Sequence, residues 1–326
     1  MKRMRVRSTG AYLPEKVLTN FDLEKMVDTS DEWIRTRTGI VERHIAADDE
    51  ATSDLVVKAA REALERGNLT PEDIDAIIVA TVTPDTAYPS TACWVQKGLN
   101  VKGNIAFDIN AACSGFIYAT AVAQGLIATG VAKTVLVAGA EIMSRFVNWE
   151  DRSTCVLFGD GAGVVIYEES DDDSGLIDIY LGADGTIGEL LIQPAGGTRM
   201  PPSHETVEKK LHTVHMQGNE VFKHAVRMMQ EASLKVLEHS GYTADDVDLF
   251  VPHQANIRII EATIKRVGIP WEKTMVTIDK FANVPAATIP LTLHEAVITG
   301  KLKKGDLVLS SAFGGGFTWG AFLMRW

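Results

Sequence analysis

The chain is poor in cysteine, in aromatic side chains and in positive charge. Its three cysteines, Cys93, Cys113 and Cys155, form no Cys-x-x-Cys pair and are too scattered for a disulfide framework. That excludes a zinc ribbon, a thioredoxin-type centre and a disulfide-stapled secreted module, and it makes a reducing cytoplasm the expected setting. With 32 Lys and Arg against 43 Asp and Glu, the net charge is −11, a field that repels nucleic acid and anionic membranes. Neither is an expected partner. No apolar run approaches membrane-spanning length. The basic stretch Met1 to Ser8 leads into Thr9-Gly10-Ala11-Tyr12-Leu13-Pro14 instead of an apolar segment, so it does not read as a secretory signal. Among the eight histidines, only His212 and His215 are suggestively spaced, and no carboxylate or cysteine stands in register beside them. No metal is expected.

What is present is a core-forming composition, 46% hydrophobic over 326 residues, enough for about two domain-sized units. The chain also repeats itself. Thr70-Pro71-Glu72-Asp73-Ile74-Asp75 is echoed by Thr243-Ala244-Asp245-Asp246-Val247-Asp248, an offset of 173 residues. At the same offset Ser53 to Arg66 corresponds to Val226 to His239, each copy reading as amphipathic helix, Thr-led turn and buried strand. Val135-Leu136-Val137 resembles Leu307-Val308-Leu309, and Phe158-Gly159-Asp160-Gly161 resembles Phe313-Gly314-Gly315-Gly316. The expectation is an α/β fold of two duplicated halves, residues 1–172 and 173–326, divided at the acidic run Glu168 to Asp173.

Within this frame Cys113 stands out. Phe107-Asp108-Ile109-Asn110 reads as a strand that breaks into the small-residue helix starting Ala111-Ala112-Cys113-Ser114-Gly115 and ending near Thr129. A thiol in a first helical turn meets unpaired N–H groups and the positive dipole end, which favour a thiolate nucleophile. The offset maps this break onto Asn283, with Asn110 as its counterpart. His253 follows a buried strand behind Pro252, placed to point into a cleft. In Phe313-Gly314-Gly315-Gly316-Phe317 successive glycines let backbone N–H groups approach a ligand, as an oxyanion hole or phosphate nest requires. Gly159-Asp160-Gly161-Ala162-Gly163 is spaced wrongly for a dinucleotide fingerprint and is followed by a strand pattern, so no nicotinamide cofactor is expected.

Ala111-Ala112-Cys113-Ser114-Gly115-Phe116, His253-Gln254-Ala255-Asn256, Asn283 and Phe313 to Gly320, with Asp31-Glu32-Trp33-Ile34 and Arg37-Thr38-Gly39 near the N-terminus, together resemble β-ketoacyl-acyl carrier protein synthase III, of the thiolase-like superfamily. The resemblance implies a five-layered αβαβα fold and a homodimer. It implies an acyltransferase of type II fatty acid synthesis that joins an acyl-CoA primer, by the resemblance acetyl-CoA, to malonyl-acyl carrier protein without a cofactor. Cys113 would carry the acyl group, and His253 with Asn283 would stabilise the enolate left by decarboxylation. The N–H groups of Cys113 and Gly315 would form the oxyanion hole. Trp33, Arg37 and Arg152 match the positions bracketing the CoA nucleotide, and Gly218, Phe222 and Asn256 those of the pantetheine channel. Arg258, Lys265 and Arg266 would dock the carrier protein, and Tyr88 would cap the partner subunit's acyl pocket. The chain departs from the family in Ala282 before the catalytic asparagine, where Gly is usual, and in Val284-Pro285 after it, where Thr-Ser is usual. Three other readings compete: a papain-like hydrolase, which shares the order Cys, His, Asn; a polyketide or quinolone starter-unit enzyme; and a non-catalytic acyl-binding protein.

Overall fold

The computed structural model describes residues 3–326; the first two residues of the basic N-terminal stretch lie outside the described residues. Two mixed sheets frame the fold. The first is built from β1 (Met4–Tyr12), β2 (Ala76–Ala80), β3 (Ile105–Ile109), β4 (Thr134–Ile142) and β5 (Asp160–Glu169), in the spatial order β1-β5-β4-β2-β3. The second contains β6 (Gly175–Ala183), β7 (Leu249–Pro252), β8 (Leu307–Gly314) and β9 (Thr318–Arg325), ordered β7-β8-β9-β6. Read from the other end this order repeats the first sheet without a counterpart of β3, which shrinks to an isolated bridge between Phe250 and Thr274.

Strand alternation sorts the layers. Ile77 and Val79 of β2 and Leu136 and Ala138 of β4 face outward onto α2 (Thr52–Gly67), preceded in the chain by α1 (Asp31–Thr38), and onto α3 (Thr91–Gly98). Their neighbours Ile78, Ala80, Val135 and Val137 face inward, onto α4 (Gly115–Ala128). In the second half Phe250, Leu309 and Leu323 meet the outer helices α5 (Gly218–Ser240) and α6 (Ile257–Val267). Val251, Val308 and Phe322 join the central layer with Ile289 and Leu293 of α7 (Thr288–Ile298). The layers therefore run helix, sheet, helix, sheet, helix, because each strand is apolar on both faces and each face needs cover.

The repeat is visible atom by atom. Thr70 N donates to Asp73 Oδ2 and Thr243 N to Asp246 Oδ2, both at 2.8 Å, so one capped turn leads into β2 and into β7. The short 3₁₀ turn Ala112–Ser114 that opens α4 lies 173 residues before Pro285–Ala287, which opens α7. These paired central helices bring the two active-looking breaks together. They approach closely: a Cβ at Gly139 of β4 would lie 2.0 Å from the Ala286 carbonyl oxygen, so only glycine fits there.

Candidate active site

Cys113 sits in the 3₁₀ turn ahead of α4, with Ala112 held at φ +46°. The second half fixes that turn. Thr318 of β9 donates to the Ala111 carbonyl at 2.8 Å, and Ser114 donates to Thr318 Oγ1 at 2.8 Å. Gly314, at the end of β8, lies so close that a Cβ on it would be 2.5 Å from Cys113 N. The N–H groups of Cys113 and Gly315 both lie near enough to the Cys113 sulfur to favour its anion.

One sequence expectation is corrected. The helix start was expected to favour a thiolate, yet burial pushes the Cys113 thiol up to about 12, with the negative field of Glu141 adding to the effect. Only 9% of the residue is exposed. The two N–H groups pull the other way, but removing water costs the anion more than two dipoles return. The resting group is a neutral thiol.

His253 continues β7, its N–H bonding Ser311 O at 2.9 Å, so the β7–β8 pairing aims the ring. Nδ1 lies 2.6 Å from Thr288 Oγ1, which also accepts from Gln254 N at 3.3 Å. Where the threonine hydroxyl donates to Nδ1, the proton of this neutral ring is carried by Nε2. Nε2 is buried and meets no protein partner. Desolvation lowers the His253 pKa to about 3, so the imidazole is neutral throughout the physiological range.

Asn283 is clamped through its backbone: its N–H bonds Leu157 O at 3.0 Å and its carbonyl accepts from Gly159 N at 3.1 Å. Its Oδ1 is buried without a partner. The Val284-Pro285 departure is absorbed by packing: Val284 is wholly buried against Leu13, Phe281 and Leu291, and Pro285 opens a 3₁₀ turn where no N–H is needed.

Cys113, His253 and Asn283 line one cavity of about 720 Å³. Trp33, Arg37 and Arg258 line it too, as do the channel residues Gly218, Phe222 and Asn256. Arg152 lies outside its lining but stacks over Trp33, 5.1 Å from the ring centroid. Arg258 sits over Phe222 at 5.6 Å. Asn256 has a second task, since its Oδ1 caps α6 by accepting from Arg258 N at 2.9 Å. Lys265 and Arg266 are exposed on α6 beyond the cavity, and Tyr88 is 87% exposed on a loop away from it. Among the described residues no group of three or more His, Cys, Asp and Glu converges as a metal site. Reading the sequence missed the parts played by Thr288 and Glu141. Thr288 was detectable in principle, as the first helical residue at the repeat position of Gly115.

Two family models match the chain, 3-oxoacyl-[acyl-carrier-protein (ACP)] synthase III over residues 107–185 and its C-terminal part over 237–326. A beta-ketoacyl-[acyl-carrier-protein] synthase III of Caldanaerobacter subterraneus is 56% identical over 321 residues, covering 98% of this chain and 97% of its own. The chain belongs to the 3-oxoacyl-[acyl-carrier-protein] synthase III family. Crystal structures of synthase III from Aquifex aeolicus (51% identity, 99% of this chain and 100% of that one) and Thermus thermophilus (46%, 99% of each) both superpose with a TM-score of 0.92. Members of the synthase III family are acyl-condensing transferases of fatty acid biosynthesis, and the thiolase-like αβαβα architecture is theirs.

Proposed function

We propose that this chain condenses a short acyl-CoA primer, acetyl-CoA in the simplest case, with malonyl-acyl carrier protein, using Cys113, His253 and Asn283. The carrying observation is that a nucleophilic sulfur and two buried polar atoms without protein partners, His253 Nε2 and Asn283 Oδ1, share one cavity. An unpaired buried polar atom costs about 1–3 kcal/mol, so the orphaned His253 Nε2 speaks for a ligand beside it, and the Asn283 carboxamide, whose Oδ1 can only accept, would meet an enolate oxygen through its Nδ2–H.

In the first half-reaction the Cys113 sulfur attacks the thioester carbonyl. A C–S bond forms, the C–S bond to CoA breaks, and the departing CoA sulfur takes the thiol proton. The Cys113 and Gly315 N–H groups hold the transient oxyanion. In the second, malonyl thioester loses carbon dioxide. The enolate oxygen takes hydrogen bonds from His253 Nε2–H and the Asn283 amide, and its carbon attacks the acyl-cysteine carbonyl. The C–C bond forms, the C–S bond breaks, and the released sulfur takes a proton from solvent. No step needs a cofactor.

Trp33 and Arg152, now stacked on each other at 5.1 Å, would part to take an adenine between them, and Arg37 lines the same cavity as Trp33. Arg258, Lys265 and Arg266 form an exposed basic stripe suited to an acidic carrier protein. We read residues 1–172 and 173–326 as the duplicated halves. The reading includes a homodimer: β3 is the free edge of its sheet, its Ile105, Phe107 and Ile109 are half-buried, and Tyr88 would reach the neighbour's acyl pocket from there. Acyl-CoA and a carrier protein make the cytoplasm its working compartment.

Labelled acetyl-CoA tests the proposal. The expected result is a stable adduct on Cys113 that only malonyl-carrier protein discharges. Cys113→Ser is to lose acyl transfer yet keep some decarboxylation, and His253→Ala the reverse. An adduct that hydrolyses without acceptor would point to a hydrolase, and no adduct to a binding protein.

A further inference from the structure

One buried ionisable group near the cavity has no part in the steps above. Glu141, on β4, is completely buried. Its Oε2 accepts from Thr83 Oγ1 at 2.6 Å, Thr81 Oγ1 at 3.1 Å and Thr83 N at 3.1 Å, and Val82 N lies 3.1 Å from both carboxylate oxygens. Oε1 also accepts from Ala286 N at 3.4 Å. All these donors are neutral. A carboxylate in such a place is costly unless its donors depend on it, because their N–H and O–H groups would otherwise be orphaned.

The donors belong to both halves. Thr81 to Thr83 follow β2, and Ala286 lies in the turn that carries Asn283 from the second half. Gly139, two residues before Glu141 on the same strand face, admits the Ala286 carbonyl against β4. Gly139 therefore gives the turn its seat, and Glu141 fixes its height. Building on the proposed function, we propose that Glu141 is a positioning residue of the condensation half-reaction, tying the Asn283 turn to the Thr81–Thr83 loop so that the carboxamide meets the enolate.

The same carboxylate acts on the other half-reaction in the opposite sense. Its charged form, which fills in as pH rises through about 7, opposes ionisation of Cys113. The other ionisable groups nearby are engaged or neutral: Asp160 on β5 with Ser144 and Ala46, Asp85 with Ser53, and His253 uncharged across the cavity. Glu141 thus slows thiolate formation while it orders the decarboxylation site.

The test uses the full chain with Glu141→Gln and Glu141→Asp. Three rates are followed: acyl transfer from labelled acetyl-CoA, decarboxylation of malonyl-carrier protein, and alkylation of Cys113 by iodoacetamide against pH. Displacing a reacting group by about 1 Å costs up to ~100-fold, so decarboxylation kcat is expected to fall ~10- to 100-fold in both variants with malonyl KM little changed. Glu141→Gln, which removes the charge, is expected to alkylate up to ~10-fold faster than wild type at pH above about 7, where Glu141 is ionised, whereas Glu141→Asp keeps the wild-type profile. Decarboxylation at the wild-type rate, or both half-reactions falling by one common factor, overturns the inference. If Glu141→Gln does not fold, Glu141→Asp and Thr83→Val decide it by the same decarboxylation readout. A wild-type chain that accepts no acyl group overturns the proposed function itself, a different result from active wild type beside unaffected variants.

Discussion

Gly314→Ala isolates the oxyanion hole with a single methyl group. The Cβ would lie 2.5 Å from Cys113 N, 3.1 Å from Ala112 Cβ and 3.2 Å from Cys113 Cα, where ordinary contact begins near 3.4 Å. The backbone at Cys113 must therefore move by about 0.9 Å, because the obstacle is main chain and β8 is held on both sides by β7 and β9. That N–H is one of two lying near the reacting sulfur. Losing one oxyanion donor costs roughly 2.7–4 kcal/mol, a 100- to 1,000-fold drop in acyl transfer. The overpacking itself costs about 1–3 kcal/mol of stability, which a core of this size withstands. The assay is single-turnover transfer from labelled acetyl-CoA, with malonyl decarboxylation measured in parallel. Decarboxylation, which the proposed function assigns to His253 and Asn283, is expected to fall far less. A folded Gly314→Ala protein that acylates at the wild-type rate refutes the placement of the oxyanion hole.

Trp33→Ala is expected to raise KM for acetyl-CoA ~5- to 100-fold, the worth of one stacked base, while leaving a primer thioester without the nucleotide unaffected; steady-state kinetics with both substrates checks it. Arg258→Glu and Lys265→Glu are expected to raise KM for the carrier protein at low ionic strength, with the difference shrinking in salt; an unchanged KM removes the docking stripe. Acid titration of stability tests the neutral histidine. His253 binds its proton at about 3 when folded and near 6.5 when unfolded, so stability is lost as pH falls below about 6.5, by up to ~3 kcal/mol at pH 4.5. Glu141, raised to about 7 by burial, has the opposite sign: its contribution is full below about 4.5 and is lost as pH rises through about 7. Thermal melts are therefore expected to show His253→Gln gaining on wild type as pH drops from 7 to 4.5; a constant difference would refute the buried neutral ring.

The architecture was legible because its signals are local. The Thr70 and Thr243 caps, the two-faced apolar strands and the small-residue openings of α4 and α7 each depend on neighbours within a few residues. The protonation of Cys113 was not legible, since the local helix start argues for a thiolate and the opposing desolvation comes from β8 and β9, some two hundred residues away. Glu141 escaped for a related reason: one acid in an apolar strand reads as an exposed position, and only the packing of Ala286 against Gly139 shows that this strand face is interior. The shrunken counterpart of β3 was hidden as well, because the repeat pattern predicts a strand where the chain forms the short helix Ile278–Phe281.

The electrostatics of the site separate condensation from hydrolysis more firmly than residue order does. A cysteine hydrolase needs its histidine to take the thiol proton and later to activate water, which requires a ring that can become cationic. Here the ring is held neutral down to about pH 3, its Nδ1 is occupied by Thr288, and Nε2, which carries the proton when the Thr288 hydroxyl donates to Nδ1, is buried without a protein partner. Such a ring donates and does not accept. Paired with the Asn283 carboxamide, under the proposed function, it would stabilise an enolate without supplying a base, so an acyl-cysteine formed beside it would have no activated water to meet. The thiol's own resting proton, held up to about 12 by burial, keeps the idle sulfur from ionising. Burial thus suppresses the side reaction and the idle nucleophile together, and Thr288→Val, by freeing Nδ1 to carry the proton, is the substitution that would give the first of these back.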